Sequence, residues 1–315
     1  MGLVTRKHII IGILIAAVAT VAVVLAMAFL LGGSPGILPL DAPGECANKP
    51  VQGKLILNVE DEDLPQTPEK MTVYCLEPIV KTEEEIHELA AKFGITDIER
   101  SHKEIDSREY DSYQGMKGDR IETCLAFGYD VIDENFNFEN HAKYGRENPN
   151  LPTKDESRGI ALDTLESLGL LPDEAYVSGT GGEQTETIRD GEWVKFFDHR
   201  NVIISRKLDG HYVIGPGMRI KVSLGTNGEL IGLDSTMRNP VPHKEFKTKS
   251  IEDAIRDAKK GKNTMNLHPE VKDPEVTKVE ILFYADPAKP ENKYLQPVYC
   301  LTGPETCIYV PAIKQ

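Results

Sequence analysis

Hydrophobic and polar positions along this chain follow three different rules. From Ile9 to Leu31 the run is apolar on every side, with no charge and no proline; Thr20 is its one polar side chain and Gly12 a gap. About 20 residues at 1.5 Å each cross the ~30 Å hydrocarbon core of a bilayer. A soluble helix of that length would show a polar face, so the run predicts a transmembrane helix. Arg6 and Lys7 precede it and the next basic residue is Lys49. That asymmetry puts the N-terminus in the cytoplasm and the remainder outside. A cleaved signal peptide is the rival reading, since Ala26-Met27-Ala28 offers a small-x-small cleavage pattern. Against it, the apolar run continues through Phe29-Leu30-Leu31, longer than a signal h-region.

Three segments switch to the helical period. One follows Thr82, with Glu85 completing a capping box, Ile86, Leu89, Ala90 and Phe93 on one face, and Gly94 as the stop. A second follows Thr153 with Glu156 three residues on; Ile160, Ala161, Leu165 and Leu168 face inward and Gly169 ends it. The third follows Ser250, with Ala254, Ile255 and Ala258 on its buried side. Elsewhere the period is two. Met218, Ile220, Val222 and Leu224 alternate with polar residues, and Thr226-Asn227-Gly228 returns the chain through Glu229–Leu233. Trp193–Arg206 and His211–Ile214 read as a hairpin around Asp209-Gly210, and Val276–Tyr284, Tyr294–Leu301 and Cys307–Pro311 as further strands. Upstream the strands are Met71–Leu76, Glu99–Ile105, Ile121–Tyr129 and Asn135–Phe138.

Helices recurring between sets of strands predict an α+β fold, with antiparallel sheets carrying helices on one face. The expected organisation is a cytoplasmic stub and membrane anchor over 1–31, then a Gly/Pro/acidic linker over 32–70 containing Glu60-Asp61-Glu62-Asp63. A first α+β unit over 71–182 and a second over 183–315 follow, with Gly179-Thr180-Gly181-Gly182 at their boundary. Val73-Tyr74-Cys75-Leu76 recurs as Val298-Tyr299-Cys300-Leu301, which suggests duplication.

Charge narrows the partners. Arg6 and Lys7 are the only charged residues of 1–31, so the remainder carries 34 Lys+Arg against 50 Asp+Glu, a net charge of −16. Nucleic acid and anionic lipid would be repelled. A strongly acidic surface is also the ordinary route to solubility.

One part of the sequence resembles a known family. Ile203-Ile204-Ser205-Arg206-Lys207-Leu208-Asp209-Gly210, then Val213-Ile214-Gly215-Pro216-Gly217, Ile220-Lys221-Val222, Asn227-Gly228-Glu229-Leu230, the helix start at Ser250 and Leu295-Gln296-Pro297-Val298-Tyr299 follow one another in an order similar to PepSY-like domains. Such domains occur in secreted and membrane-anchored regulators, including extracytoplasmic accessory proteins of bacterial sensor kinases. The likeness is best over 185–315 and fainter over 72–180. It implies small antiparallel sheets wrapped on a helix, often in tandem, that bind peptides, restrain peptidases or modulate a membrane partner. It implies no catalytic residues.

Chemistry is sparse. His87 sits in an acidic helical stretch but lacks the second His four residues on that a zinc helix needs. His199 and His211 lie on adjoining strands with Asp198 nearby, a pairing that exposed strand polarity also explains. The Gly179–Gly182 stretch lacks the Lys-Ser/Thr of a phosphate loop, and no Gly-x-Ser-x-Gly elbow or Cys-x-x-Cys spacing occurs. No cofactor, metal or catalytic set is expected. Cys300 and Cys307 flank a turn-rich segment and can face each other across a hairpin as a disulfide in an oxidising compartment, leaving Cys46, Cys75 and Cys124. Trp193, Phe196 and Phe197 occupy both parities of one strand, so one side covers the core while the other is offered to a partner. The expectation is a non-catalytic, extracytoplasmic binding or regulatory module with a peptide or membrane-protein partner. The alternatives are a structural scaffold of the envelope and a hydrolase.

Overall fold

Each helix begins where a hydroxyl side chain caps it. The Thr82 hydroxyl accepts from the Glu85 N–H at 3.2 Å while the Glu85 carboxylate accepts from the Thr82 N–H at 3.0 Å, and helix α1 (Glu83–Lys92) follows. Thr153 and Glu156 repeat the reciprocal pair ahead of α2 (Lys154–Ser167). Ser250 accepts from the Asp253 N–H ahead of α3 (Ile251–Lys260), which Gly261 ends at φ +64°. Replacing Thr82 or Thr153 by alanine is expected to cost about 1 kcal/mol each. The two sites share no partner, so the double variant should show the sum in its urea midpoint; an unchanged midpoint would contradict the capping argument.

The computed structural model describes residues 49–314 apart from 106–107, 119, 121–123, 145–146, 190, 262–263 and 288–291. In chain order the strands are β1 (Ile56–Leu57), β2 (Lys70–Pro78), β3 (Ile98–Ile105), β4 (Arg108–Lys117), β5 (Leu125–Asp130), β6 (Asn135–Asn140), β7 (Ala175–Arg189), β8 (Glu192–Leu208), β9 (His211–Ile214), β10 (Ile220–Leu224), β11 (Leu230–Ser235), β12 (Arg238–Lys247), β13 (Met265–Asn266), β14 (Glu275–Val276), β15 (Lys278–Tyr284), β16 (Tyr294–Gly303) and β17 (Thr306–Pro311). Fifteen of them form one hydrogen-bonded network along the path β12-β2-β16-β15-β9-β8-β10-β11-β6-β5-β4-β3, with β7 added to β8, β17 to β16 and β13 to β17. The pair β1–β14 is separate and parallel, and it ties residues 56–57 of the expected linker to the body.

This arrangement corrects the expected fold class. The described residues are mostly β-sheet with three α-helices, and they do not divide into tandem sheet-plus-helix units. The reason is long-range pairing. β2, from the expected first unit, hydrogen-bonds to β12 and β16 of the second, and β6 pairs with β11. The Gly179–Gly182 stretch lies inside β7. The two Val-Tyr-Cys-Leu segments lie on the neighbouring strands β2 and β16. No helix among the described residues is long and apolar enough to cross a membrane, and the apolar run at 9–31 lies outside the described residues.

Alternation along the central strands produces two apolar layers. Ile281, Phe283, Tyr299 and Leu301 point into the main core with Val202, Ile204, Ile220, Val222, Leu224 and Leu233, beneath Ile86 and Leu89 of α1, Ala161 and Leu165 of α2, and Ala254 and Ala258 of α3. Successive side chains of a strand point to opposite faces. Leu282, Tyr284, Val298 and Cys300 therefore form, with Met265, a smaller cluster on the reverse face, edged by Ile214, Cys307 and Tyr309. The ends of the strand path differ in chemistry from its middle. β12 carries Pro240, Pro242, Lys244 and Lys247, and β3 carries Glu99, Arg100, His102, Lys103 and Glu104.

Candidate functional site

β8 outruns its neighbours. Its pairing with β10 ends at Leu224 opposite Arg200, whereas its pairing with β7 continues to Arg189 opposite Glu192. Residues 184–189 and 192–197 therefore project beyond the sheet as a two-stranded arm. Directly opposed residues share a face, which puts Ile188 with Trp193, Glu186 with Lys195 and Gln184 with Phe197 on one side, and Val194 and Phe196 on the other. Trp193 is 69 % exposed, Ile188 59 % and Phe197 45 %. A Glu186–Lys195 ion pair at 2.5 Å lies between them. One face of the arm is thus a strip of large apolar side chains in water, centred on an ion pair.

The root of the arm is buried and polar. Asp198 is the extra residue of a β-bulge, where the register shifts between Glu183 opposite His199 and Gln184 opposite Phe197. Asn148 donates its side-chain N–H to the Asp198 carbonyl, and Thr226 donates to the Asn148 side-chain oxygen at 3.2 Å. His199, 2 % exposed, has Nδ1 2.8 Å from the Asp198 carboxylate and Nε2 3.4 Å from Glu183, with the Tyr144 ring edge-on at 5.0 Å. Burial pushes the Tyr144 phenol up to about 12. Arg200 donates to the Pro152 carbonyl at 3.1 Å and lies 5.1 Å from the Phe197 ring centre. These contacts fix the direction in which the arm leaves the sheet.

The other edge of β7 pairs with no strand among the described residues, and it passes a groove. This cavity of about 440 Å³ lies on the reverse face, lined by Tyr176, Ile203, Pro216, Met265, Tyr284 and Tyr309 among others. The volume is in the range of ligand pockets, about 300–1,000 Å³. Burial raises the Tyr176 and Tyr309 phenols, so both stay neutral hydroxyls. A further cavity of about 390 Å³ opens under α1 beside Leu89, Leu171, Lys92, Arg206 and Met237. Two of its charges already have structural tasks: Glu85 caps α1 and Lys92 donates to the Leu168 carbonyl at 2.6 Å.

No family model matches this chain, and no curated protein does. The chain is similar to an uncharacterized protein of known crystal structure from Eubacterium rectale ATCC 33656, at 12 % identity over 84 % of this chain and 90 % of that one, with a TM-score of 0.45. A likeness at that level leaves the site to be read from its own residues.

The residues singled out from the sequence are scattered over separate parts of the fold. Trp193 and Phe197 share the exposed face of the arm and Phe196 the opposite one. His199 and His211 do not meet: His211 is opposite Leu208, nine residues along β8 from His199, or roughly 30 Å at strand rise. His211 instead holds the Ile281 carbonyl at 3.0 Å through Nδ1. His87 is a surface residue of α1, 3.9 Å from Glu83. No cluster of three or more His, Cys, Asp or Glu positioned to hold a metal ion occurs among the described residues. Cys300 and Cys307 are free thiols on neighbouring strands, diagonal rather than directly opposite, while Cys46 lies outside the described residues. Ile188 escaped the sequence reading because its strand was not recognised; opposite Trp193 in the register, it doubles the apolar tip.

Proposed function

We propose that this protein is a non-enzymatic binding module that holds an extended segment of a peptide or membrane-protein partner against the projecting β7–β8 arm and the free edge of β7. The observation that carries this reading is the exposed Ile188–Trp193–Phe197 strip beside an unpaired strand edge. Unpaired edge N–H and C=O groups template an added strand, and adjoining apolar pockets select its side chains. The groove at Tyr176 lies at the base of that edge. The PepSY-like order of turns over 185–315 points to the same class of role, and the apolar run at 9–31 with Arg6 and Lys7 ahead of it supports a position at the outer face of the membrane.

Trp193 is the single tryptophan of the chain, so its emission reports on the arm alone. In the free protein the emission should be that of an indole in water, and it should move to the blue when a partner is engaged. With a photocrosslinker at Ile188, membranes should yield one defined adduct. Trp193→Ala should leave stability within about 0.5 kcal/mol and weaken capture by about 2 kcal/mol, or roughly thirtyfold. Equal adduct yield from the variant would rule the arm out as the docking surface.

A further inference from the structure

The reverse-face cluster contains a chemistry that the arm does not use, and it stands on separate observations. In the β16–β17 register, Cys300 is opposite Tyr309 and Thr302 is opposite Cys307. Directly opposed residues share a face, and so do residues two apart on one strand. Cys300, Thr302, Cys307 and Tyr309 therefore form one quartet with the two thiols on its diagonal. Cys300 is 5 % exposed, packed in the cluster with Met265, Leu282, Tyr284 and Val298, while Cys307 is half-buried at its edge. Met265, Tyr284, Ile214 and Tyr309 belong both to this cluster and to the wall of the 440 Å³ groove. Tyr309, opposite Cys300 and two residues from Cys307, is thus shared between the thiol quartet and the wall of a cavity of small-molecule size.

We propose that Cys307 and Cys300 form a thiol–disulfide exchange site for a low-molecular-weight disulfide, with Cys307 as the attacking and Cys300 as the resolving thiol. The Cys307 thiolate attacks one sulfur of R–S–S–R, a Cys307–S–S–R bond forms, and one RS⁻ leaves and takes a proton from water. Cys300 then gives its proton to water and attacks the Cys307 sulfur, expelling the second RS⁻. Two protein thiols are oxidised to one disulfide, and one small disulfide is reduced to two thiols.

Access assigns the order, because only Cys307 can be reached from outside. Electrostatics agrees with it. The neighbouring Cys300 thiol, with the Tyr309 hydroxyl and nearby His268, holds the Cys307 thiol below its ordinary value against the opposing effect of burial. The same contact pushes the Cys300 thiol up. The attacking thiol is the one that ionises, as exchange chemistry requires. Diagonal cross-strand residues stand about 7–8 Å apart at Cα, a little beyond the range of about 4.4–6.8 Å for a relaxed disulfide. The bond therefore closes by drawing the strands together, which suits one that reopens. Arg219 stands exposed on the groove wall, a cation suited to the carboxylate of cystine or oxidised glutathione.

The test uses the full-length reduced protein with oxidised glutathione or cystine, followed by alkylation and peptide mapping. Wild type should yield a linked Cys300–Cys307 peptide, Cys300→Ser should accumulate the mixed disulfide at Cys307, and Cys307→Ser should accumulate none at Cys300. In the wild type, which needs no variant to fold, Cys307 should alkylate about tenfold or more faster than Cys300 near neutral pH, and its rate should hold to a lower pH than that of an ordinary thiol. Absence of the linked peptide with both disulfides, or equal modification of Cys75 and Cys307 in Cys300→Ser, overturns the proposal. Neither result touches the arm, which is read from Trp193.

Discussion

Gly217→Ala should destabilise the protein by about 3 kcal/mol or more, at or beyond the upper range of overpacking. A Cβ at Gly217 would lie 1.7 Å from the Asp286 carbonyl oxygen and 2.8 Å from its carbonyl carbon. Both are backbone atoms and cannot rotate away as a side-chain tip would. The contact is fixed from both sides, since the Gly217 N–H donates to the Ala285 carbonyl at 3.2 Å and the Ala285 N–H donates to the Ile214 carbonyl at 2.8 Å. Gly215, at φ +99°, passes the same segment, where a Cβ would come within 2.4 Å of the Ala285 oxygen. The turn from β9 to β10 therefore rests on the end of β15 with no room for a methyl group. Gly159→Ala is the matched control. It lies inside α2 with nothing within 4 Å of the added Cβ, and should gain about 0.5–1 kcal/mol. Urea midpoints that move the same way for both variants would refute the close-approach argument.

Phe93→Ala should cost about 3–5 kcal/mol, a large share of a typical stability of about 5–15 kcal/mol. Phe93 ends α1 and stacks on Phe138 at 4.6 Å between ring centres, with Phe127 and Phe136 at 6.1 and 6.3 Å. Three of the four rings belong to β5 and β6, so this side chain, with Ile86 and Leu89, seats α1 on the sheet. Amide exchange across Glu83–Lys92 should quicken more than exchange in α3. A double-mutant cycle with Phe138→Ala should leave a coupling of about 0.5–1.5 kcal/mol, the worth of an aromatic pair beyond its area. A loss below about 1.5 kcal/mol, or strict additivity, would mean the helix is held elsewhere.

What could be read from the sequence was local. The capping pairs at Thr82/Glu85 and Thr153/Glu156 formed as their spacing requires, and the Ile220, Val222, Leu224 alternation is buried as a strand face should be. What escaped was non-local or weakly coded. β7 holds Gly179, Gly181 and Gly182 and reads as punctuation, yet its backbone pairs with β8 along its whole length, with two register shifts. β12 contains Pro240 and Pro242, which argue against a central strand, and it lies at the end of the path where proline is tolerated. The union of β2 with β12 and β16 spans more than 150 residues of chain and leaves no periodic trace, which is why two units were expected where one sheet network exists. For the site, the aromatic cluster of β8 was visible because it is contiguous. Its partner Ile188 and the diagonal offset of the two thiols emerge only from the register.

The composition of the strand borders bears on how copies of this molecule meet one another. Two proline-bearing or heavily charged margins, β12 and β3, refuse fibril-like growth by lateral stacking. The margin of β7 is guarded by charge and register shifts only outside its Gly179–Gly182 stretch. Among these three margins, crowding should therefore favour self-association through that glycine stretch, yielding closed pairs rather than long polymers.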